Sequence, residues 1–158
     1  MYVPAHFAMS PSEVAELLSG ITAVDLISTT PDGLTATFLP MLYDPEAGSL
    51  LGHVARNNPH WQAATEHSLV IAHGPDAYIR PGFNASKYQH GRVVPTWNYV
   101  TAHIHGQLVV HDDVEWLRAL VNRLTARHEG QLPEPWAMSD GPRDYMEGQL
   151  RAIVGLAR

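Results

Sequence analysis

Residues 93–111 read VVPTWNYVTAHIHGQLVVH. Trp97, Tyr99, Thr101, His103 and His105 fall on odd positions. Asn98, Val100, Ala102, Ile104, Gly106, Leu108 and Val110 fall on even ones and are mostly small or apolar. Side chains of an extended chain point alternately to opposite faces, so a period of two predicts a strand with two unlike faces. One face is suited to a core. The other faces something that accommodates aromatic rings, hydroxyls and imidazoles, namely water, a metal, a cofactor or a second subunit.

The flanking sequence supplies partners for such a strand. SPSEVAELLSG predicts a short helix, with Ser10 as N-cap, Pro11 at the first helical position, Glu13 completing a capping box and Gly20 as the stop. TAVDLIST and LTATFLPML predict two strands joined by a turn over Thr30 to Gly33, and LLGHV a third strand after the turn YDPEAGS. A helix is expected from Asn58, with Pro59 just inside, through HWQAATEH. SLVIAHG and DAYIRP are strand-like pieces broken by Gly74 and Pro75, and GFNASKYQHGR has the composition of a loop. After the long strand, Asp112 is expected to cap a helix with Leu117, Leu120, Val121 and Leu124 on one stripe. DYMEGQLRAIVG suggests a last short helix. Adjacent hairpins mixed with helices predict a mainly β fold, an antiparallel sheet or small barrel with peripheral helices, and not a doubly wound parallel sheet.

Length and composition set limits on function. At 158 residues, one domain spanning 1–158 is expected. Cysteine is absent, which excludes disulfides, thiolate metal sites and cysteine nucleophiles. The chain has no membrane-length apolar run and no basic segment followed by an apolar stretch at the start, so a cytoplasmic location is expected. Net charge is −6 and Lys87 is the only lysine, a poor supply for phosphate-driven DNA binding. Motifs for mononucleotide or dinucleotide phosphates and for a nucleophile elbow are missing. His103 and His105 share one face, but no Asp or Glu lies between His105 and His111 to complete a ligand set, so no metal site is assigned. In GHVARNNPHW, Arg56, Asn57 and Asn58 stand at a strand-to-helix junction where an anion could be gripped, with Trp61 one turn further on; a plain helix cap beside an exposed arginine accounts for the same residues.

Four blocks, MYVPAHF, LLGHVARNNPHW, GPDAYIRP and VPTWNYVTAHIHG, run in an order that resembles the PaiB-type family of FMN-binding negative transcriptional regulators. The resemblance implies a flavin-binding split β-barrel, related to pyridoxamine-phosphate oxidase-like proteins, that forms a homodimer with the flavin at the subunit interface. By that analogy Thr96, Trp97, Asn98, Tyr99, His103 and His105 border the flavin and the partner, and His53, Arg56, Asn57, Asn58 and Trp61 are candidates near the ribityl phosphate. The sequence departs from the family pattern in places. The Thr-His-x-Pro motif appears as Thr37, Phe38, Leu39 and Pro40, the Trp-Tyr pair that follows YISP in the family as Phe83 and Asn84, and the C-terminal tail is shorter than in longer relatives.

The expected function is therefore an FMN-binding dimeric protein of the PaiB type, acting in negative regulation of transcription. Two alternatives stand beside it: a flavin-dependent oxidoreductase, with His103 and His105 as the best acid–base residues, and a barrel that has lost its cofactor and serves as an interaction module. Direct DNA repression has neither a readable helix-turn-helix nor a favourable charge.

Overall fold

The computed structural model describes residues 2–63 and 67–158. Seven strands, β1 (Ala23–Thr30), β2 (Gly33–Asp44), β3 (Ser49–Ala55), β4 (Ser68–Ile79), β5 (Thr96–Gly106), β6 (Val109–His111) and β7 (Ile153–Ala157), form one antiparallel sheet in the order β5-β4-β1-β2-β3-β7-β6. β5 and β6 stand at opposite ends of that order, yet only Gln107 and Leu108 separate them in the chain. Laid flat, six inter-strand spacings would cover about 29 Å. Three Cα steps from Gly106 to Val109 reach at most about 11 Å. The sheet must therefore curl until its two edges meet, which is the geometry of a split barrel.

The inward positions make the core. Val24 and Leu26 of β1, Leu39 and Met41 of β2, Leu50 and Val54 of β3, Val70 and Ala72 of β4, Ala102 of β5 and Leu156 of β7 are all buried, together with Leu108 and with Leu18 and Ile21 at the end of helix α1 (Pro11–Gly20). Each fully buried Leu or Val contributes about 1.5–3 kcal/mol relative to exposure. α1 starts as expected: the Glu13 amide donates to Ser10 Oγ at 3.3 Å, and the Ser10 amide donates to the Glu13 carboxylate at 2.7 Å. Its last carbonyls, those of Ser19 and Ile21, accept from the Arg127 guanidinium at 2.6 and 2.5 Å.

Several elements differ from expectation for identifiable reasons. The run 93–111 divides: β5 ends at Gly106 and β6 begins at Val109, because the chain there crosses from one sheet edge to the other. SLVIAHG and DAYIRP join into one strand, β4, which absorbs Gly74 and Pro75 in a bulge opposite β5 between His73 and Asp76. After Asn58 the structure has a 3₁₀ helix over Pro59–Ala63; residues 64–66 of the expected helix lie outside the described residues. The loop after β4 holds a short helix, α2 (Ser86–Gln89). The cap of helix α3 (Val114–Glu129) is Asp113, whose carboxylate accepts from the Trp116 amide at 2.7 Å; Asp112 is used elsewhere. Helix α4 (Arg143–Arg151) stops before AIVG, and Ile153–Ala157 is β7, hydrogen-bonded between β3 and β6. The pairing slot between those strands outweighs the helical spacing of Leu150, Ile153 and Val154. Among the described residues no helix is long and apolar enough to cross a membrane.

Candidate functional site

β5 carries its two residue sets on two faces. Ala102 is in the core and Ile104 packs against it. On the odd side Trp97 and Tyr99 are 59% and 61% exposed, Thr101 and His103 are half-buried and His105 is exposed. The antiparallel register extends this face across the neighbouring strands. His103 lies opposite Ile71, which lies opposite Asp25, which lies opposite Phe38; His105, Leu69, Ile27 and Ala36 form the next row. Phe38 is 71% exposed although it is large and apolar. Beyond the bulge, Trp97 pairs with Tyr78 with ring centroids 6.2 Å apart, and its indole N–H donates to the Asp76 carboxylate at 3.1 Å. The His103 and His105 rings meet edge to face at 6.5 Å, and His73 Nε2 lies 3.0 Å from the Asp25 carboxylate. The result is a sheet face of rings, aliphatic side chains and imidazoles that the protein does not cover itself. Val100, on the even side, lines a groove of about 510 Å³ with Met9, Leu17 and Ile21.

Thr96 and Asn98 are exposed at the outer end of β5, paired with Ile79 and Ala77. The residues around the β3 end are placed differently from those of β5. In the sheet order three strands separate β3 from β5. His53 sits on β3 opposite Gly155, the glycine against which the Trp116 ring rests, and burial pushes its imidazole pKa down. The Arg56 guanidinium makes four hydrogen bonds within the protein. It binds both Asp112 oxygens, at 3.0 and 2.5 Å, and the carbonyls of Arg151 and Ile153, at 2.8 and 3.1 Å. These bonds hold the Asp112 carboxyl below the usual range and raise the guanidinium above it. Arg56 therefore ties β3, β7 and the start of α3 together. Asn57 is exposed. Trp61 packs against the core and donates its indole N–H to the Arg56 carbonyl at 2.9 Å.

Asn58 opens a buried polar chain that sequence patterns did not reveal. Its carbonyl oxygen accepts from the His60 amide at 2.9 Å, and its amide nitrogen donates to Thr37 Oγ1 at 3.4 Å. Thr37 Oγ1 lies 2.8 Å from His60 Nδ1, His60 Nε2 lies 2.9 Å from Ser28 Oγ, and Ser28 Oγ lies 2.9 Å from Ser68 Oγ. An amide nitrogen can only donate, so Thr37 accepts from Asn58, and with one O–H and a second lone pair it can partner His60 Nδ1 in either tautomer. His60 thus has a hydrogen-bond partner at each ring nitrogen. His60 is 1% exposed, and burial lowers its pKa, which keeps it neutral. The chain fastens the 3₁₀ segment to β1, β2 and β4. Its sequence signal lay in Ser28, Thr37 and Ser68, polar residues at inward strand positions.

A second signal is charge. Residues 77–111 contain no Asp or Glu, while Arg80, Lys87 and Arg92 fall within them, in a chain of net charge −6. The connection beside the aromatic end of β5 is thus a positive stretch of the chain. Among the described residues no three His, Asp or Glu side chains are grouped to hold a metal ion.

A family model described as "Putative FMN-binding domain" matches residues 1–157. The chain belongs to this family. Within it, the chain is 29% identical over 160 residues to the Bacillus subtilis protease synthase and sporulation protein PAI 2, covering 98% of this chain and 74% of that protein. It is 30% identical over 147 residues to an uncharacterised Aspergillus fumigatus protein, with 72% of this chain covered; the match spans 56% of that relative's length. The FMN-binding-domain fold is also similar to the FAD and heme binding protein from Mycobacterium smegmatis, with a TM-score of 0.64, 18% identity, and coverage of 96% of this chain and 66% of that one.

Proposed function

We propose that this member of the FMN-binding family binds FMN on the odd face of β5, between two copies of the chain, and acts as a dimeric regulator of the PaiB type. The observation that carries this is the uncovered face of Trp97, Tyr99, His103, His105, Ile71 and Phe38, which has the composition expected beside a flat ring system with polar edges. Bound flavin would supply two-electron redox chemistry of its own. Trp97 and Tyr99 would stack against or border the ring, and the unshared nitrogens of His103 and His105 would donate to or accept from its heteroatoms. Arg80, Lys87 and Arg92 are the cations available on that side for the ribityl phosphate, whereas Arg56 commits four of its five N–H groups to Asp112 and two carbonyls. Family membership supports the cofactor, and the likeness to PAI 2, a protein named for protease synthesis and sporulation, supports the PaiB-type assignment.

The test is the absorption spectrum and solution mass of the purified full chain with and without FMN. Flavin bands retained through gel filtration and a mass of twice 17.4 kDa are expected. A colourless protein whose melting temperature does not move with FMN refutes the cofactor. Thr101→Glu, which puts a charge in the middle of the face, is expected to split the dimer; a variant that still sediments as a dimer would place the interface elsewhere. A flavin-dependent oxidoreductase is distinguished by turnover: reduction of the bound flavin by NAD(P)H followed by reoxidation on a substrate.

A further inference from the structure

We infer that the outer end of the β4–β5 ribbon is an arm that lies in the α1 groove of a second copy of the chain, so that each copy clasps the other. β4 pairs with β1 only over residues 68–71, and β5 stands at the edge of the sheet order. Beyond the bulge, residues 76–79 and 96–99 therefore form a ribbon of two strands, and the connection 80–95 closes its tip. Asp76, Ala77 and Tyr78 are exposed on one strand, and Trp97, Asn98 and Tyr99 on the other, so neither face is covered. A ribbon of two strands is marginal in water unless another strand or a helix packs on it. This one also carries Phe83 and Tyr88 at its tip, 71% and 78% exposed. So large a cluster of open rings marks an interaction surface.

The groove of about 510 Å³ lies between α1 and the root of the same arm, where Gly74, Pro75 and Val100 line it. Met9, Leu17 and Ile21 give it an apolar floor, and Glu13 and Glu16, both exposed, give it negative charge. The tip has the opposite character. The Arg80 guanidinium lies 5.8 Å from the centre of the Phe83 ring, and the Lys87 ammonium 5.5 Å from that of Tyr88. Among the described residues neither the two carboxylates nor these two cations form an ion pair. Groove and tip thus each hold the charge that the other lacks, beside apolar surface that the other would cover. Root and tip are about 15 Å apart along the strands. A twofold axis across the middle of the arm exchanges them, so one operation seats both tips in both grooves. Phe83 and Tyr88, the groove surface they cover and the symmetric second contact together bury about 1,000 Å², the threshold of a specific interface, before the odd face of β5 is counted. The inference rests on the dimer proposed above and not on its cofactor, and it leaves Arg92 for the phosphate.

The chain has no cysteine, so single introduced cysteines report the contact. Gly20→Cys lies in the groove with open space around its Cβ, and Ala85→Cys is exposed between Phe83 and Tyr88. The two full-length variants are mixed without FMN, left to exchange subunits and treated with a short bis-maleimide. A linked dimer with one copy of each is expected, at several times the yield from Gly20→Cys mixed with Glu134→Cys, which lies between α3 and α4. Glu16→Lys, and separately Arg80→Glu with Lys87→Glu, should each weaken the dimer about tenfold or more in sedimentation, and the three changes together should return it to within about threefold of wild type. Equal yields in the two mixtures, or unchanged affinity in the charge-reversed variants, overturn the inference and leave a dimer built on the odd face of β5 alone. A chain that stays monomeric overturns the clasp and the dimer together, and its FMN absorbance then decides the cofactor separately.

Discussion

Replacing Thr37 by Val tests the buried polar chain with almost no change of shape. Thr37 Oγ1 bridges Asn58 Nδ2 at 3.4 Å and His60 Nδ1 at 2.8 Å, and His60 is 1% exposed. With a methyl in place of the hydroxyl, His60 Nδ1 has no hydrogen-bond partner and no access to water. Leaving one buried polar group unsatisfied costs about 1–3 kcal/mol. The 3.4 Å bond from Asn58 is long and its donor half-buried, so its loss adds little. For a chain of this size each kcal/mol lowers the melting temperature by about 2–4 °C, giving an expected fall of about 2–12 °C. Thr37→Ser keeps the hydroxyl and loses one methyl, and should stay within about 1.5 kcal/mol of wild type, the cost of a small truncation. The assay is urea and thermal unfolding followed by circular dichroism at pH 7.5. If Thr37→Val is as stable as wild type, or Thr37→Ser falls as far as Thr37→Val, the hydroxyl is not what holds His60.

Other outcomes follow from the same geometry. His60 and His53 are both lowered from 6.5 by burial, so the folded protein binds fewer protons than the unfolded chain; stability should be full above pH 6.5 and decline as pH falls below it, and His60→Gln should flatten that decline in unfolding free energies measured across the range. Gly155→Leu forces a side chain into the space of the Trp116 ring and should cost about 1–3 kcal/mol in urea unfolding; an unchanged midpoint would mean that the ring moves freely aside. Arg56→Ala should lower the melting temperature and weaken FMN and riboflavin equally, because the guanidinium serves Asp112 and two carbonyls; selective loss of FMN in calorimetric titration would return Arg56 to the phosphate.

The strands were legible because their alternation is strict. Val24, Leu26 and Ser28 face inward and Asp25 and Ile27 outward, as the spacing of TAVDLIST predicts, and the same parity places Ala102 in the core and Tyr99 outside. The cap of α1 was legible because Ser10, Pro11 and Glu13 act within four residues of one another. β7 was not legible. Leu150, Ile153 and Val154 have helical spacing, and only the vacant edges of β3 and β6, distant in sequence, turn the last residues into a strand. The β5 half of the candidate site was readable from parity alone. At the β3 end, Arg56 at a strand-to-helix junction suggested an anion grip, but its partner Asp112 lies 56 residues away and no local pattern links them. Phe38 stood out in the sequence as a departure from a motif; that it belongs to the same face as His103 emerges only through two intervening strands.

The place of β7 between β3 and β6 has a consequence for biosynthesis. As the chain leaves the ribosome, β1 to β6 are available well before residues 153–157, yet until those five residues arrive β3 presents a row of unpaired amides and carbonyls and β6 has no neighbour. Such a half-made sheet edge is a template for any other extended chain nearby. Cells making this protein would thus depend on its final strand reaching the gap before a neighbouring nascent chain does, and chaperone capture at that stage would protect yield more than any gain in stability of the finished barrel.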